Sequence, residues 1–346
     1  MSILKSLKLA VVAVAASGLA LSASAQDLKG AGSSFVNPLF QKMFSTYTAA
    51  KVDYQSIGSG GGIAQLTAKT VDFGDSDAPL NEEQTTKMGG PAAVLHIPMT
   101  SGAVVVTYNI PGVSAALNLT GKDLADIYLG KVTKWNSPEI SATNKGVKLP
   151  DLPIVVIHRS DGSGTSFIFT DYLTKVNTDW EKKVGKASAP NWPAGLGGKG
   201  SEGVAGLVKQ TPGAIGYVEL AYAVQNKMPF ASIQNKGGKF IAPTIAATTL
   251  ASNVAIPADT KVSVTNTDNP EGYPIASFTW ALIYKEQNYE GRSKEKATQL
   301  LKLLWWNIHD GQKYCEALTY APLSKSAVKA AEAVLKSATF GGKAIL

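Results

Sequence analysis

Cysteine is all but missing from this chain. Of 346 residues only Cys315 carries a thiol, which excludes an internal disulfide; its expected place is an inert, buried position in a C-terminal helix. Histidine occurs only at His96, His158 and His309, and no Cys/His spacing suggests a metal site, so no metal or other cofactor is expected. A serine hydrolase would need a Gly-x-Ser-x-Gly elbow, and neither Ser59 nor Ser163 has glycine at both required positions. Without a cysteine nucleophile or a metal cluster, phosphoester hydrolysis also has little to work with, and the chain is expected not to be an enzyme. The formal net charge of +7 favours anions as ligands. No Lys/Arg run is interleaved with aromatics, so nucleic acid is excluded as a partner. Internal repeats and low-complexity tracts are absent too.

Long apolar runs are limited to the N-terminus. Lys5 and Lys8 precede the stretch from Leu9 to Leu21, which ends at Ala23-Ser24-Ala25, a small-residue pattern of the kind signal peptidase reads. The run is short for a membrane span. Residues 1–25 therefore read as a cleaved signal peptide, with the mature chain starting near Gln26. No cysteine lies near that site to carry a lipid anchor, and the expected product is soluble and periplasmic.

What the chain has is glycine and serine in the right places. The string RSDGSGTS, from Arg159 to Ser166, lies between an apolar run (Ile154 to Ile157) and a helix-like run (Phe167 to Val176). A strand that delivers an arginine into a Gly/Ser turn, followed at once by a helix, gathers a guanidinium, hydroxyls and unpaired N-terminal amides around one point. Such a point suits an oxyanion. Two further segments repeat the chemistry. GAGSSF (Gly30 to Phe35) runs into Asn37-Pro38, where Asn can cap a helix and Pro can take its first turn. IGSGGG (Ile57 to Gly62) follows a strand-like run from Val52 to Gln55 and precedes a short helix. One Gly/Ser turn is usually only a loop; three opening helices, one of them carrying Arg and Asp, favour shared anion binding.

Strand-like and helix-like patterns alternate along the chain, as in α/β folds. Val94 to Pro98 and Ala103 to Tyr108 read as two strands, and Ile154 to His158 and Ile275 to Tyr284 as two more. Thr120 to Leu129 reads as a helix capped by Thr120, as do Ser201 to Lys209, Val218 to Asn226, Lys294 to Asn307 and Ser324 to Lys336. GLGGKG (Gly195 to Gly200) resembles a P-loop only loosely, because no Ser or Thr follows its lysine directly.

These segments, with VDFGDSDAPL (Val71 to Leu80), DIYLGKVTKWN (Asp126 to Asn136), GLGGKGSEG (Gly195 to Gly203) and PGAIGYVE (Pro212 to Glu219), occur in the order found in the phosphate-specific periplasmic substrate-binding proteins of ABC transporters. The chain resembles that family over most of its mature length; after about Lys285 the match thins to a Tyr320-Ala321-Pro322-Leu323 string. The resemblance implies a two-lobed periplasmic-binding-protein fold, type II-like, with mixed sheets flanked by helices and a cleft between lobes. Lobe I would combine residues 26–98 with 276–346, and lobe II would hold 99–275. The implied ligand is inorganic phosphate and the implied partner an ABC permease in the inner membrane, with the protein acting as a monomer. A secreted or cell-surface phosphate-binding or adhesive protein would use the same site.

The resemblance also assigns roles. Arg159 would bond phosphate oxygens, oriented by Asp161, which shares its face if the strand continues that far. Ser163, Gly164 and Thr165 would donate amides and hydroxyls, as would Ser34, Phe35 and Ser59. Ser34 stands where the family usually has Thr, and Gly60 where many members have a second Ser, a change expected to cost little. Asp77 is the diagnostic residue, because an ionised carboxylate only accepts hydrogen bonds and is tolerated beside an anion that brings its own proton. Hydrogen phosphate has that proton; sulfate at neutral pH does not. Asp75 replaces a residue that is usually small in the family. His158 should point away from Arg159 into packing, not act as a base.

Overall fold

A computed structural model describes residues 27–346; the expected signal peptide lies outside the described residues. The largest sheet is built from β1 (Leu28–Gly32), β2 (Val52–Ser56), β3 (Phe73–Ser76), β4 (Val94–Tyr108), β5 (Val155–Arg159), β6 (Leu196–Gly198), β7 (Ala214–Glu219) and β8 (Ala276–Tyr284). Its spatial order is β2-β1-β3-β8-β4-β7-β5-β6. On one side β1 runs parallel to both β2 and β3, and on the other β5 runs parallel to β6 and β7. Between them β8 and β4 pair antiparallel. The arrangement is two α/β halves sharing a central antiparallel seam.

The seam is where the sequence reading and the structure part. Val94 to Pro98 and Ala103 to Tyr108 are not two strands but the ends of one, and β4 runs through the polar stretch between them. Pro98 has no N–H to donate, and the register with β8 slips at that point, so that Met99 is an extra residue opposite Thr279 and Trp280. A bulge absorbs the proline. Residues 94–103 of β4 pair with β8, while residues 104–108 pair with β7. The strand therefore changes partners between Ala103 and Val104, where Val104 N–H also bonds the Ile275 carbonyl at 2.8 Å.

Covered on both faces, β4 is buried along almost its whole length. Helices α1 (Asn37–Thr46), α2 (Ser59–Thr67), α3 (Gly164–Val176), α4 (Gly200–Gln210), α5 (Lys294–Ile308) and α6 (Lys325–Lys336) flank the sheet, with α3 to α6 packed on β4 and α1 and α2 on β1 to β3. Leu39, Phe40, Met43 and Phe44 of α1 keep helical spacing and turn into the core beside Tyr54 and Phe73.

Three local expectations need correction. Asn37 is not the cap of α1: the helix begins at Asn37 itself, and its side chain accepts from Gln41 at 3.1 Å. Val218 and Glu219 belong to β7, and the helix starts only at Leu220, because the Glu219 carboxylate caps it by accepting the Ala221 N–H at 2.6 Å. Cys315 is buried, but between two short 3-10 turns and not within a regular helix. Thr120 does cap its helix, with Asp123 completing a capping box.

Candidate functional site

Four strands of the large sheet end in turns that open helices. From β1 the chain passes through Ser33 and Ser34 into α1; β2 leads through Gly58 into α2; β5 leads through Asp161 and Ser163 into α3; β6 leads through Lys199 into α4. These four helix N-termini meet at the carboxyl ends of their strands, where α/β sheets hold ligands. β3 brings a carboxylate to the same place through Asp77.

Arg159, the last residue of β5, is enclosed, with its side chain 1% exposed. Its Nε donates to Asp161 Oδ1 at 2.8 Å and its Nη2 to Oδ2 at 2.6 Å, a bidentate pair formed although the strand stops at Arg159. Burial alone would raise the Asp161 carboxyl, but the guanidinium and the Gly200 N–H at 3.1 Å hold it below the usual carboxylate range. Nη1 lies 3.5 Å from Thr165 Oγ1, in the first turn of α3. Ser163 caps that helix by accepting the Ser166 N–H at 3.0 Å. That bond leaves its hydroxyl proton free to donate.

The opposite wall meets this one directly. Gly60 N–H donates to the Gly162 carbonyl at 2.8 Å, and Gly164 N–H to Ser59 Oγ at 3.1 Å. Ser59 Oγ also accepts the Asp77 N–H at 3.3 Å, so its own proton must point elsewhere. Gly58 adopts φ +81, and a β-carbon there would lie 2.2 Å from Asp161 Oδ2; the position admits only glycine. A β-carbon on Gly164 would lie 2.5 Å from Asp77 Oδ2. The Phe35 N–H bonds Ser33 Oγ at 3.0 Å, while its ring packs edge-on to Tyr320.

Asp77 is buried and accepts hydroxyl hydrogens from Ser33 on Oδ2 and, at Oδ1, faces Thr279, each at 2.7 Å. Burial pushes its carboxyl up to about 6, against the pull of the Ser33 and Thr279 hydroxyls and the Arg159 charge. The structure thus brings Ser34, Phe35, Ser59, Asp77, Arg159, Asp161, Ser163, Gly164 and Thr165 to one enclosed place. His158 lies outside it, stacked on Trp192 with ring centroids 4.9 Å apart.

Several residues of the site were not singled out from sequence. Ser201, in the first turn of α4, donates its N–H to Ser34 Oγ at 3.1 Å, and the two hydroxyls lie 2.9 Å apart. Tyr222 donates to the Ser34 carbonyl at 2.7 Å. Thr279 reaches both Asp75 and Asp77. The GGKGSEG string was the available signal for Ser201; Thr279 and Tyr222 had none.

Fold and site define a two-lobed binding protein, and the chain matches the PBP superfamily domain over residues 19–305. That class holds substrate-binding proteins, not enzymes. Within it, the chain belongs to the PstS phosphate-binding proteins. It is 43% identical over 313 residues to the phosphate-binding protein PstS of Xylella fastidiosa, covering 88% of this chain and 84% of that one. With PstS of Pasteurella multocida it shares 40% over 334 residues, 94% of this chain and 95% of its relative. Among solved structures, a high-affinity periplasmic phosphate-binding protein (PfluDING) bound with phosphate superposes with a TM-score of 0.71 at 21% identity, over 89% and 93% of the two chains. A phosphate-binding protein of Stenotrophomonas maltophilia gives 0.67 at 19%, over 89% and 94%. At those identities the likeness speaks for the fold.

Proposed function

We propose that this protein captures inorganic phosphate in the periplasm and delivers it to an ABC permease in the inner membrane. The observation that carries the reading is the buried meeting of Asp77 with Arg159 and four helix N-termini. Together they offer many donors and one acceptor, which is the complement of an anion that still holds a proton. Membership among the PstS proteins supports phosphate over other oxyanions.

In this reading Arg159 contributes charge-assisted bonds through Nη1, with Asp161 fixing the plane of its guanidinium. Ser34, Ser59, Ser163 and Thr165 donate hydroxyl hydrogens and Asp77 accepts the phosphate proton, while the Phe35 and Gly164 amides, already bonded to Ser33 Oγ and Ser59 Oγ, would share their hydrogens with the anion. Lobe I consists of 26–98 with 276–346 and lobe II of 99–275; the change of partners along β4 favours moving the first crossing to Ala103 and Val104. Closure follows because groups from both lobes must reach one small anion. No catalytic role is proposed for any residue.

Calorimetric titration of ligand-stripped protein with phosphate, sulfate and arsenate tests the reading. Phosphate is expected to bind tightly and sulfate not at all at neutral pH, and no heat with phosphate would remove the proposal. Solution scattering of the stripped protein should show a smaller radius of gyration when phosphate is added.

A further inference from the structure

One hydroxyl hydrogen stands between two buried carboxyl groups beside the cleft. Thr279 Oγ1 lies 2.7 Å from Asp75 Oδ1 and 2.7 Å from Asp77 Oδ1. A threonine hydroxyl donates only one hydrogen. The other contact therefore needs a second proton, which only a carboxyl can carry. The surroundings decide which. Asp77 receives the Ser33 hydroxyl and feels the Arg159 charge, and both favour its ionised form. Asp75 has no such support: Oδ1 meets only Thr279, Oδ2 is buried without a partner, and the side chain is fully enclosed. Ionised, it would leave a bare carboxylate oxygen in a dry interior. As an acid, it donates to Thr279 Oγ1, which in turn donates to Asp77 Oδ1.

We propose that Asp75 is a standing carboxylic acid whose proton turns the Thr279 hydroxyl toward Asp77, and that it is a positioning residue for the acceptor that meets the anion. The ligand in this proposal rests on the phosphate reading above; the protonation state does not. Asp77, Thr279 and Tyr54 face Asp75 itself, and the further groups named here surround the Asp75–Asp77 pair through Asp77 or Tyr54. Asp77 extends from β3, Thr279 from β8 and Tyr54 from β2, with Ser33 after β1, Arg159 at the end of β5, Glu219 at the end of β7, and Tyr222 and Tyr320 behind them. Arg159 is the only cation among them, and it is committed to Asp161. Burial first, and the Asp77 charge second, raise the Asp75 carboxyl well above the usual range.

With that proton in place, each Asp77 oxygen receives one hydroxyl and keeps a lone pair for the hydrogen of a bound phosphate. The Asp75–Asp77 pair then carries one negative charge, not two. When Asp75 ionises at high pH, the single Thr279 hydrogen is contested and a second negative charge faces the anion, so phosphate loosens.

Infrared difference spectra between ligand-free wild type and Asp75→Asn at neutral pH read the acid directly. The expected result is a protonated-carboxyl carbonyl band that is present in wild type, shifted in heavy water and missing from the variant. Its absence overturns the proposal whether or not phosphate binds. Titration with inorganic phosphate between about pH 7 and about pH 10 reads the consequence, since buried carboxyls ionise in that range. Over it, wild-type affinity should fall at least about tenfold further than that of Asp75→Asn, whose amide donates to Thr279 at every pH. Parallel profiles overturn the positioning role. Asp75→Ala, which removes the acid and leaves Thr279 its hydrogen for Asp77, replaces the amide variant if that one fails to fold. If wild type binds no phosphate at any pH, the functional reading falls while the infrared band still decides the acid.

Discussion

Two largely enclosed arginine–aspartate pairs lie at opposite ends of the sheet's strands. Arg159 closes β5 at its carboxyl end with Asp161 two residues further on, and Asp72 and Arg292 sit before the amino end of β3, 220 residues apart. Asp72 is saturated: Oδ2 accepts the Lys29 N–H at 2.7 Å, and Oδ1 takes Arg292 Nη1 together with Lys296 Nζ at 3.0 Å. It ties β1, β3 and the start of α5 into one clasp. Asp161, by contrast, takes two guanidinium nitrogens and leaves Nη1 turned toward Thr165 and the cleft. A buried ion pair is part of the scaffold when its carboxylate is filled by donors from distant elements, as at Asp72. It is an instrument when a local partner holds the arginine still with a nitrogen turned toward the ligand site, as Nη1 of Arg159 is.

The comparison can be broken most directly at the arginines. Arg159→Ala should weaken phosphate binding by roughly 2 to 5 kcal/mol, the cost of truncating one partner of a desolvated charge pair. Calorimetry on a variant shown to be folded checks this, and wild-type affinity would contradict the assignment. Arg292→Ala should instead cost about 3 kcal/mol of stability with phosphate affinity intact, since it opens a buried pair outside the cleft. Thermal unfolding beside the same titration would show it. A variant that lost affinity without losing stability would erase the distinction between the two pairs.

Asp77→Asn is expected to act on selectivity more than on strength. The amide keeps an oxygen for the phosphate hydrogen, adds a donor that sulfate can use and removes a repelling charge, so the phosphate-to-sulfate ratio should drop roughly tenfold, about 1.4 kcal/mol. The same chemistry predicts a pH effect in the unaltered protein. Above about 6 the Asp77 carboxyl is ionised and only accepts; as pH falls through that value it gains a proton it can donate, and sulfate should begin to compete. An identical ratio at pH 5 and pH 8 would make Asp77 a turn residue. The smallest effect is expected at Gly60, where a β-carbon would lie 3.1 Å from Gly162 Cα and 3.2 Å from its carbonyl oxygen. Gly60→Ser should lower affinity by about 1 kcal/mol through crowding of the closed contact. Affinity equal to wild type would mean that the neighbouring backbone gives way freely.

What was legible in the sequence was local. The Gly/Ser turns, the Arg159–Asp161 spacing and the helices after them are short-range patterns, and the structure keeps them, although α2 and α3 reach four and three residues further back, to Ser59 and Gly164, than pattern alone put them. What was hidden depends on contacts across the chain: Ser201 meets Ser34 over 167 residues, and Thr279 meets Asp77 over 202. No spacing rule links such positions. The broken reading of β4 has another cause, since Pro98 and the polar residues after it speak against a strand interior until a bulge and a paired neighbour accommodate them. Asp75 stood out as an extra carboxylate, but only its enclosure beside Thr279 gives that oddity a chemistry.

The bonds from Gly60 to Gly162 and from Ser201 to Ser34 join wall to wall, not wall to ligand. In the proposed closure they contribute on their own account, so the threshold at which phosphate would be captured is separable from what is recognised. Apparent affinity scales with the fraction of molecules able to close. A substitution at Gly60 or Ser201, to which no bond with phosphate is assigned, would move that threshold up or down while discrimination stayed fixed, which lets one binding chemistry serve both scarce and plentiful surroundings.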